Sequence, residues 1–145
     1  MSQTITVYVD GACKGNPGLG GWGAYIITEQ AEHKICGGEP ETTNNRMELT
    51  AVLKALKYMA KFGYVAATIV TDSMYVKNGL EKWIVGWKNN GWKASTGSPV
   101  KNKDLWVEID NLRQQFDLNF QWVKGHSGNK YNDAVDKLAS DACLV

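Results

Sequence analysis

Four acidic residues, Asp10, Glu48, Asp72 and Asp136, have the types and spacing that could do chemistry together. Asp10 and Asp72 each close a run with the pattern of a strand, and if these strands are parallel neighbours, both carboxylates emerge at the same carboxyl edge of the sheet. Glu48 lies on the apolar stripe of a predicted helix, where a carboxylate is costly unless it is paired or bound to a metal ion. Asp136 borders the apolar face of a predicted C-terminal helix. Four carboxylates that converge at one edge would form a site for a hard cation.

Each acid also has an ordinary structural explanation. Asp10 could begin a turn, and Asp72 could cap the helix that follows it. Glu48 stands three residues after Asn45, as in a capping box, and Asp136 could be an exposed acid. Any one of these explanations suffices for its residue, whereas the four positions together favour a shared function.

Mg²⁺ is the cation that such a site predicts, because it takes oxygen ligands and keeps several waters for substrate phosphates. Two such ions about 4 Å apart can activate an attacking water and stabilise the leaving oxygen of a phosphoryl displacement. His126 would serve beside them as a proton carrier near neutral pH, although a lone loop histidine is often incidental. A serine hydrolase is disfavoured, because His126 and Ser127 are adjacent and the sequence has no G-x-S-x-G elbow. Phosphodiester hydrolysis is the chemistry that these residue types suit.

A second feature is the segment Lys77–Lys103, which we call the basic aromatic segment. Its six lysines and single acid give it a net charge of +5, whereas the rest of the chain sums to −4. Three of the six tryptophans lie within it, at positions Trp83, Trp87 and Trp92. Basic side chains interleaved with aromatic ones suit contact with phosphates and with sugar or base faces. A solvated lysine face over core tryptophans is the alternative, but the loop from Lys88 to Lys93 favours a protruding basic element.

Composition bounds the class of protein. At 145 residues the chain suits one domain, expected over residues 1–145, and with 43% apolar residues it should bury a core without disulfides or a structural metal. The three cysteines form no C-x-x-C pair. No stretch approaches the roughly 20 apolar residues of a membrane span, and the start of the chain lacks the pattern of a leader. We therefore expect a cytoplasmic monomer that needs no membrane and no obligate protein partner.

The elements that must position these side chains are strands followed by alternating helices and strands. Three strands are predicted over residues 4–10, 21–28 and 33–39, with a glycine-rich turn over 11–21. Apolar spacings of three and four then predict a helix over 44–61, followed by a strand over 66–71 and helical residues 74–89. A helix over 101–115, a strand over 119–123 and a helix over 131–144 complete the chain. This order predicts an α/β protein with a mixed sheet covered by helices.

Several short motifs occur in an informative order. They are Val9-Asp10-Gly11, Gly15-Asn16-Pro17-Gly18, Thr42–Leu49, Thr71-Asp72-Ser73 and Trp122–His126, followed by Asn132 and Asp136. In type, order and spacing they resemble type 1 ribonuclease H over about residues 5 to 142. The resemblance implies the ribonuclease H-like fold, a five-stranded mixed sheet with an antiparallel meander, then parallel strands, and flanking helices. It also implies a Mg²⁺-dependent endonuclease, for which Mn²⁺ can substitute, that cuts the RNA strand of an RNA/DNA hybrid and leaves 5′-phosphate and 3′-hydroxyl ends.

The resemblance also implies roles for single residues. By position, four residues match the family's catalytic metal ligands: Asp10, Glu48, Asp72 and Asp136. His126 matches the mobile histidine for proton transfer or product release. Matches to the lining of the RNA minor groove, where 2′-hydroxyls distinguish RNA from DNA, are Cys13, Asn16, Asn44 and Asn45. Thr43 matches a pocket for a DNA-strand phosphate. Matches to the DNA-strand channel and the basic protrusion are Trp83, Lys88, Trp92 and Lys93.

The chain departs from the family pattern at a few positions. Met74 stands where many members carry Gln, and Ala134 where many carry Arg. Asn89 and Asn90 dilute a protrusion that is frequently more basic. We therefore expect weaker hybrid affinity and a shallower salt dependence of binding.

Two other functions fit parts of the pattern. A DNA-directed nuclease or resolvase of the same fold would use the same carboxylates, but Asn16, Asn44 and Asn45 favour the hybrid. A non-catalytic binding module would use only the basic aromatic segment, and the intact set of carboxylates argues against it.

Overall fold

The computed structural model describes residues 4–15, 17–125 and 128–142. The elements in chain order are β1 (Thr4–Gly15), β2 (Gly18–Ile27), β3 (Glu32–Thr42), α1 (Asn44–Phe62), β4 (Ala66–Thr71), α2 (Met74–Asn78), a π-helical turn (Gly79–Trp83), α3 (Ile84–Asn89), α4 (Lys103–Arg113), β5 (Asp117–Trp122) and α5 (Lys130–Ala142). The predicted α/β class is confirmed.

The five strands form one mixed sheet in the order β3-β2-β1-β4-β5. β2 pairs antiparallel with β1 and β3, whereas β4 runs parallel to β1 and β5. The sheet is therefore the antiparallel meander followed by parallel strands that the resemblance implies. The connection from β1 to β4 passes through α1, as parallel neighbours require a crossover.

α1 and α5 cover opposite faces of β1. Ile5, Val7 and Val9 alternate along the strand and are buried in the same apolar core as the stripe of α1. Tyr8 points the other way, where its ring centroid lies 5.3 Å from that of Tyr131 on α5. This period of two places Asp10 on the same side of the strand as Tyr8.

The predicted turn over residues 11–21 is wrong in its extent. β1 continues to Gly15 and β2 begins at Gly18, so the glycine-rich stretch forms most of a hairpin, with Gly11 paired to Trp22. Local propensity favoured a loop there, but pairing across the hairpin overrides it. Asp10 consequently lies inside β1 and does not close it.

Residues 74–89 form one helical stretch, as predicted, but a π-helical turn interrupts it. The stretch lies close to α4, because a Cβ on Gly79 would collide with the ring of Trp106. β4 has the predicted bounds, whereas α4 begins two residues later and ends two residues earlier than predicted.

The described residues include no helix with the length and apolar character that a bilayer crossing requires. α1, with 19 residues, carries charged side chains at Lys54, Lys57 and Lys61.

Candidate active site

Asp10 and Asp72 come together because β1 and β4 are parallel and in register. The ladder pairs Tyr8 with Val70, and the same register continued by two residues sets Asp10 beside Asp72. Asp10 is 3% exposed, and Asp72 is half-buried. The sheet thus brings two of the predicted acids to one place.

The helices that follow Asp72 and contain Glu48 are capped by other residues. The Ser73 hydroxyl accepts a backbone N–H of the first turn of α2 at 3.2 Å, so Ser73, and not Asp72, caps that helix. Thr43 caps α1, where its hydroxyl accepts the N–H of Arg46 at 3.2 Å. Glu48 is five residues beyond this cap, too far for a capping box. The capping explanations for Asp72 and Glu48 therefore do not hold.

Glu48 reaches the two aspartates because α1 packs directly on β1. A Cβ on Gly11 would collide with the backbone of Met47 and Glu48, so glycine permits this close approach. Glu48 is 4% exposed. One carboxylate oxygen from each of Asp10, Glu48 and Asp72 lies within 4.8 Å of the others. Three of the four predicted acids form one cluster.

Asp136 approaches the cluster from α5. Its side chain lies within hydrogen-bonding reach of Asp10, and this contact is one of the causes that raise the pKa of Asp10. Asn129 fixes the start of α5, because its side-chain oxygen accepts two backbone N–H groups at 3.0 and 3.1 Å. Asn132, one turn before Asp136, is 2% exposed, and its Oδ1 has no hydrogen-bond partner in the described part of the chain. The fourth acid thus joins the other three beside a buried amide.

Burial and crowding raise the pKa of Asp10 and Glu48, the two most buried acids of the cluster. Burial is the main reason that the pKa of Asp10 is raised, and the charges of Glu48 and Asp72 add to it. Burial also raises the pKa of Glu48, with the charge of Asp72 as the next cause. The cluster on its own therefore retains protons that carboxylates in water would release.

This donor set fits a divalent cation with oxygen ligands. Glu48 Oε2 is buried and has no hydrogen-bond partner among the residues described, which costs free energy unless something binds to it. A cation would also compensate the mutual repulsion of the acids. The grouped ligands are carboxylates, which suit Mg²⁺ or Mn²⁺ better than a thiolate-binding metal.

His126 and Asn16 lie outside the described residues, so their predicted roles stay predictions. Gly125, the neighbour of His126, is close to the cluster, because a Cβ on it would lie 3.0 Å from Asp72 Oδ2. Trp122 Nε1 donates to the backbone oxygen of Asp72 at 2.9 Å. The end of β5 therefore leads the chain toward the acids just before His126.

Three predicted hybrid contacts lie together around the start of α1. Cys13 Sγ donates to the backbone oxygen of Thr42 at 3.3 Å. Asn44 and Asn45 are exposed in the first turn of α1. Their contact with a substrate stays a prediction.

A cavity of about 340 Å³ opens beside Thr43. It is lined by Thr43, Asn45, Tyr75, Lys101 and Asn102. The sequence pointed to Thr43 and Asn45 individually and to Lys101 only as one lysine of the basic aromatic segment, and it missed Tyr75 and Asn102. The available signal was weak: an Asn beside a Lys at the start of a predicted helix.

The basic aromatic segment runs from the end of α2 through the π-helical turn, α3 and the following loop to the first residue of α4. The ring centroid of Trp87 lies 5.8 Å from that of Trp83 and 6.5 Å from that of Trp92, and Trp83 is 38% exposed. Lys88 Nζ pairs with Asp110 at 3.0 Å. Lys93 is exposed and forms no ion pair with a described residue. Of the two predicted phosphate contacts, Lys93 is thus the freer cation.

Comparison with known proteins points to one family. The family model described as RNase H matches residues 2–144. Ribonuclease HI of Neisseria meningitidis serogroup B is 52% identical over 140 residues, which cover 97% of this chain and 95% of that protein. Ribonuclease H of Ehrlichia ruminantium is 53% identical over 135 residues, which cover 93% of this chain and 91% of that protein.

Among solved structures, LC9-RNase H1, a type 1 RNase H with the type 2 active-site motif, superposes with a TM-score of 0.91 at 29% identity. The match covers 99% of this chain and 74% of that one. Because the family model spans nearly the whole chain and these bacterial relatives share about half of its residues, the chain belongs to the RNase H family.

Proposed function

We propose that this protein is an endonuclease that hydrolyses the RNA strand of RNA/DNA hybrids with Mg²⁺, or Mn²⁺ in its place, leaving 5′-phosphate and 3′-hydroxyl ends. The observation that carries the proposal is the buried cluster of Asp10, Glu48 and Asp72, with Asp136 beside it and one Glu48 oxygen unpartnered among the described residues. A purely structural role would not gather four acids at the cost of their mutual repulsion.

The four carboxylates would hold the cation, which when bound supplies Lewis-acid stabilisation of charge on the phosphate and on the attacking and leaving oxygens. The exposed amides of Asn44 and Asn45 and the thiol of Cys13 would contact the RNA minor groove, where a 2′-hydroxyl identifies the ribose. His126 would carry a proton to or from the reacting oxygens. Binding of the DNA strand falls to the cavity beside Thr43 and to the basic aromatic segment.

The four acids come from one chain, so this site does not need a second copy. We infer that the protein acts as a monomer, and that the cytoplasm is its compartment.

The test compares Asp10→Asn with Asp133→Asn, the same change at an exposed acid of α5. Asp10→Asn should lower Mg²⁺-dependent cleavage of the RNA strand by more than about 100-fold while it leaves hybrid binding in a gel-shift assay largely intact. Asp133→Asn should cleave like the wild type. Unchanged cleavage by Asp10→Asn would contradict the proposal.

Substrate class is tested separately with a hybrid, a duplex DNA and a duplex RNA of one sequence. We expect cleavage of the RNA strand in the hybrid alone. Efficient cleavage of the duplex DNA would instead support a DNA-directed nuclease, and hybrid binding without Mg²⁺-stimulated turnover would support a binding module.

A further inference from the structure

Asn102 stands at the start of α4 but its side chain does not cap that helix. Its backbone oxygen accepts the N–H groups of Leu105 and Trp106, each at 3.0 Å, as expected of a residue at this position. Asparagine here usually also accepts an N–H with its side chain. Asn102 instead adopts the left-handed conformation, with φ of 59°, makes no side-chain capping bond, and lines the cavity beside Thr43.

The two ends of the Asn102 amide are held by different side chains. Arg46 Nη1 donates to Asn102 Oδ1 at 3.4 Å, and Asn102 Nδ2 donates to the Tyr75 hydroxyl at 3.3 Å. A guanidinium has only donors, so Arg46 requires the amide oxygen on its own side. The amide nitrogen is thereby directed to the opposite side, toward Tyr75. One of its two N–H groups binds Tyr75, which leaves the other for a ligand.

Arg46 is itself held in place by Asp104. Its Nη1 and Nη2 lie 3.1 and 2.6 Å from the two carboxylate oxygens of Asp104, the two-point geometry in which arginine binds a carboxylate with a defined orientation. The Asp104 side chain is 63% exposed, so water screens the charge of the pair, but the two-point contact still fixes the direction of the Arg46 guanidinium. The pair therefore also fixes where Arg46 meets the Asn102 amide.

We propose that Arg46 and Asp104 are positioning residues for the substrate: they orient the Asn102 amide so that its N–H, and not its oxygen, faces a DNA-strand phosphate in the cavity. This inference rests on the proposed function. A phosphate oxygen only accepts hydrogen bonds, so a flipped amide would present oxygen to oxygen and weaken binding. Lys101, which also lines the cavity, supplies a positive charge there.

A second ion pair between the same two helices provides a matched control. Lys57 of α1 and Glu108 of α4 lie 3.2 Å apart, and neither lines the cavity. Asp104→Ala and Glu108→Ala each remove one acid from α4 and one link to α1. Removing an acid should by itself strengthen the binding of a polyanion such as the hybrid. Weaker binding by Asp104→Ala, but not by Glu108→Ala, could therefore not be explained by the change in charge.

The experiment measures kcat and KM for hybrid cleavage, with thermal unfolding of each variant. Asp104→Ala should raise KM about three- to tenfold and leave kcat within about twofold, whereas Glu108→Ala should leave KM unchanged or lower. Arg46→Lys keeps the charge but not the two-point geometry, so it should raise KM by a similar factor. This variant replaces Asp104→Ala as the test if Asp104→Ala does not fold.

Equal KM values for Asp104→Ala and Glu108→Ala, a loss confined to kcat, or a wild-type KM in Arg46→Lys would overturn the inference. A wild-type protein that does not cleave hybrids at all would overturn the proposed function instead, so the two failures are distinguishable.

Discussion

At the scale of single residues, the raised pKa values of Asp10 and Glu48 couple the site to pH. The folded protein binds protons at these acids that the unfolded chain releases above their ordinary pKa values. Their favourable contribution to stability is therefore complete at pH below those ordinary values, and it is lost as pH rises toward the raised values. At neutral pH without a cation, the cluster destabilises the fold.

Neutralising the most crowded acid should therefore stabilise the cation-free protein. In the presence of a chelator at neutral pH, Asp10→Asn should raise the midpoint of thermal unfolding by roughly 3 to 8 °C, because burial and the charges of Glu48 and Asp72 force the folded protein to keep a proton on Asp10, whereas Asn is neutral without one. Asp133→Asn, at an exposed position, should change the midpoint by less than about 2 °C. A lower midpoint for Asp10→Asn would show that its carboxylate stabilises the fold without a cation.

Mg²⁺ binding should release protons, because the cation competes with them for the same oxygens. We expect the apparent affinity for Mg²⁺ to increase with pH above neutrality and to decrease on acidification, which is the sign that raised pKa values require. Calorimetric titrations in two buffers of different ionisation enthalpy measure the protons released. An affinity independent of pH would contradict the assignment of Asp10 and Glu48 as ligands.

At the scale of elements, the site depends on how closely α1 lies on β1. The apolar spacing along the chain was enough to predict α1 and β4. The parallel pairing that sets Asp10 beside Asp72 was only a condition of the predicted site, and the resemblance, not the spacing, implied parallel strands. The extent of β1 could not be predicted in the same way, because a glycine such as Gly11 locally favours a turn. Glycine is needed there because the backbone of Met47 and Glu48, from a segment distant in sequence, packs against it. The position of Asn102 in a cavity could not be predicted for a similar reason, because the cavity forms only where α1, α2 and the start of α4 meet in the folded chain.

Gly11→Ala tests this dependence on close packing. The added Cβ would collide with the α1 backbone, so the helix has to shift and carry Glu48 away from the aspartates. We expect a loss of about 1 to 3 kcal/mol in the free energy of unfolding. We also expect weaker Mg²⁺ binding by the variant that remains folded. Gly86→Ala is the control: a Cβ there meets nothing within 4 Å in α3, and alanine should stabilise that helix by about 0.5 to 1 kcal/mol. Similar effects of the two changes would show that the approach at Gly11 is not critical.

At the scale of the whole molecule, a net charge of +1 conceals two opposed regions. Four acids are concentrated at the carboxyl edge of the sheet, and the basic aromatic segment carries +5. Such a division suits a polyanion that must be held along one surface while a cation binds at another. Within the segment, Lys88 is less available to a phosphate than Lys93, because Lys88 forms an ion pair with Asp110.

Lys93 and Lys88 should therefore differ in their effect on the salt dependence of hybrid binding. In an Asp10→Asn background, which leaves the substrate uncleaved, Lys93→Ala should reduce the slope of log affinity against log salt by about 0.9, the loss of one phosphate contact. Lys88→Ala should reduce it less. It should instead destabilise the fold by about 1 kcal/mol or more, because the Asp110 side chain, 5% exposed, loses a partner and keeps Arg113 at 3.0 Å. Equal changes of slope for the two variants would show that Lys88 leaves Asp110 to contact the backbone of the hybrid.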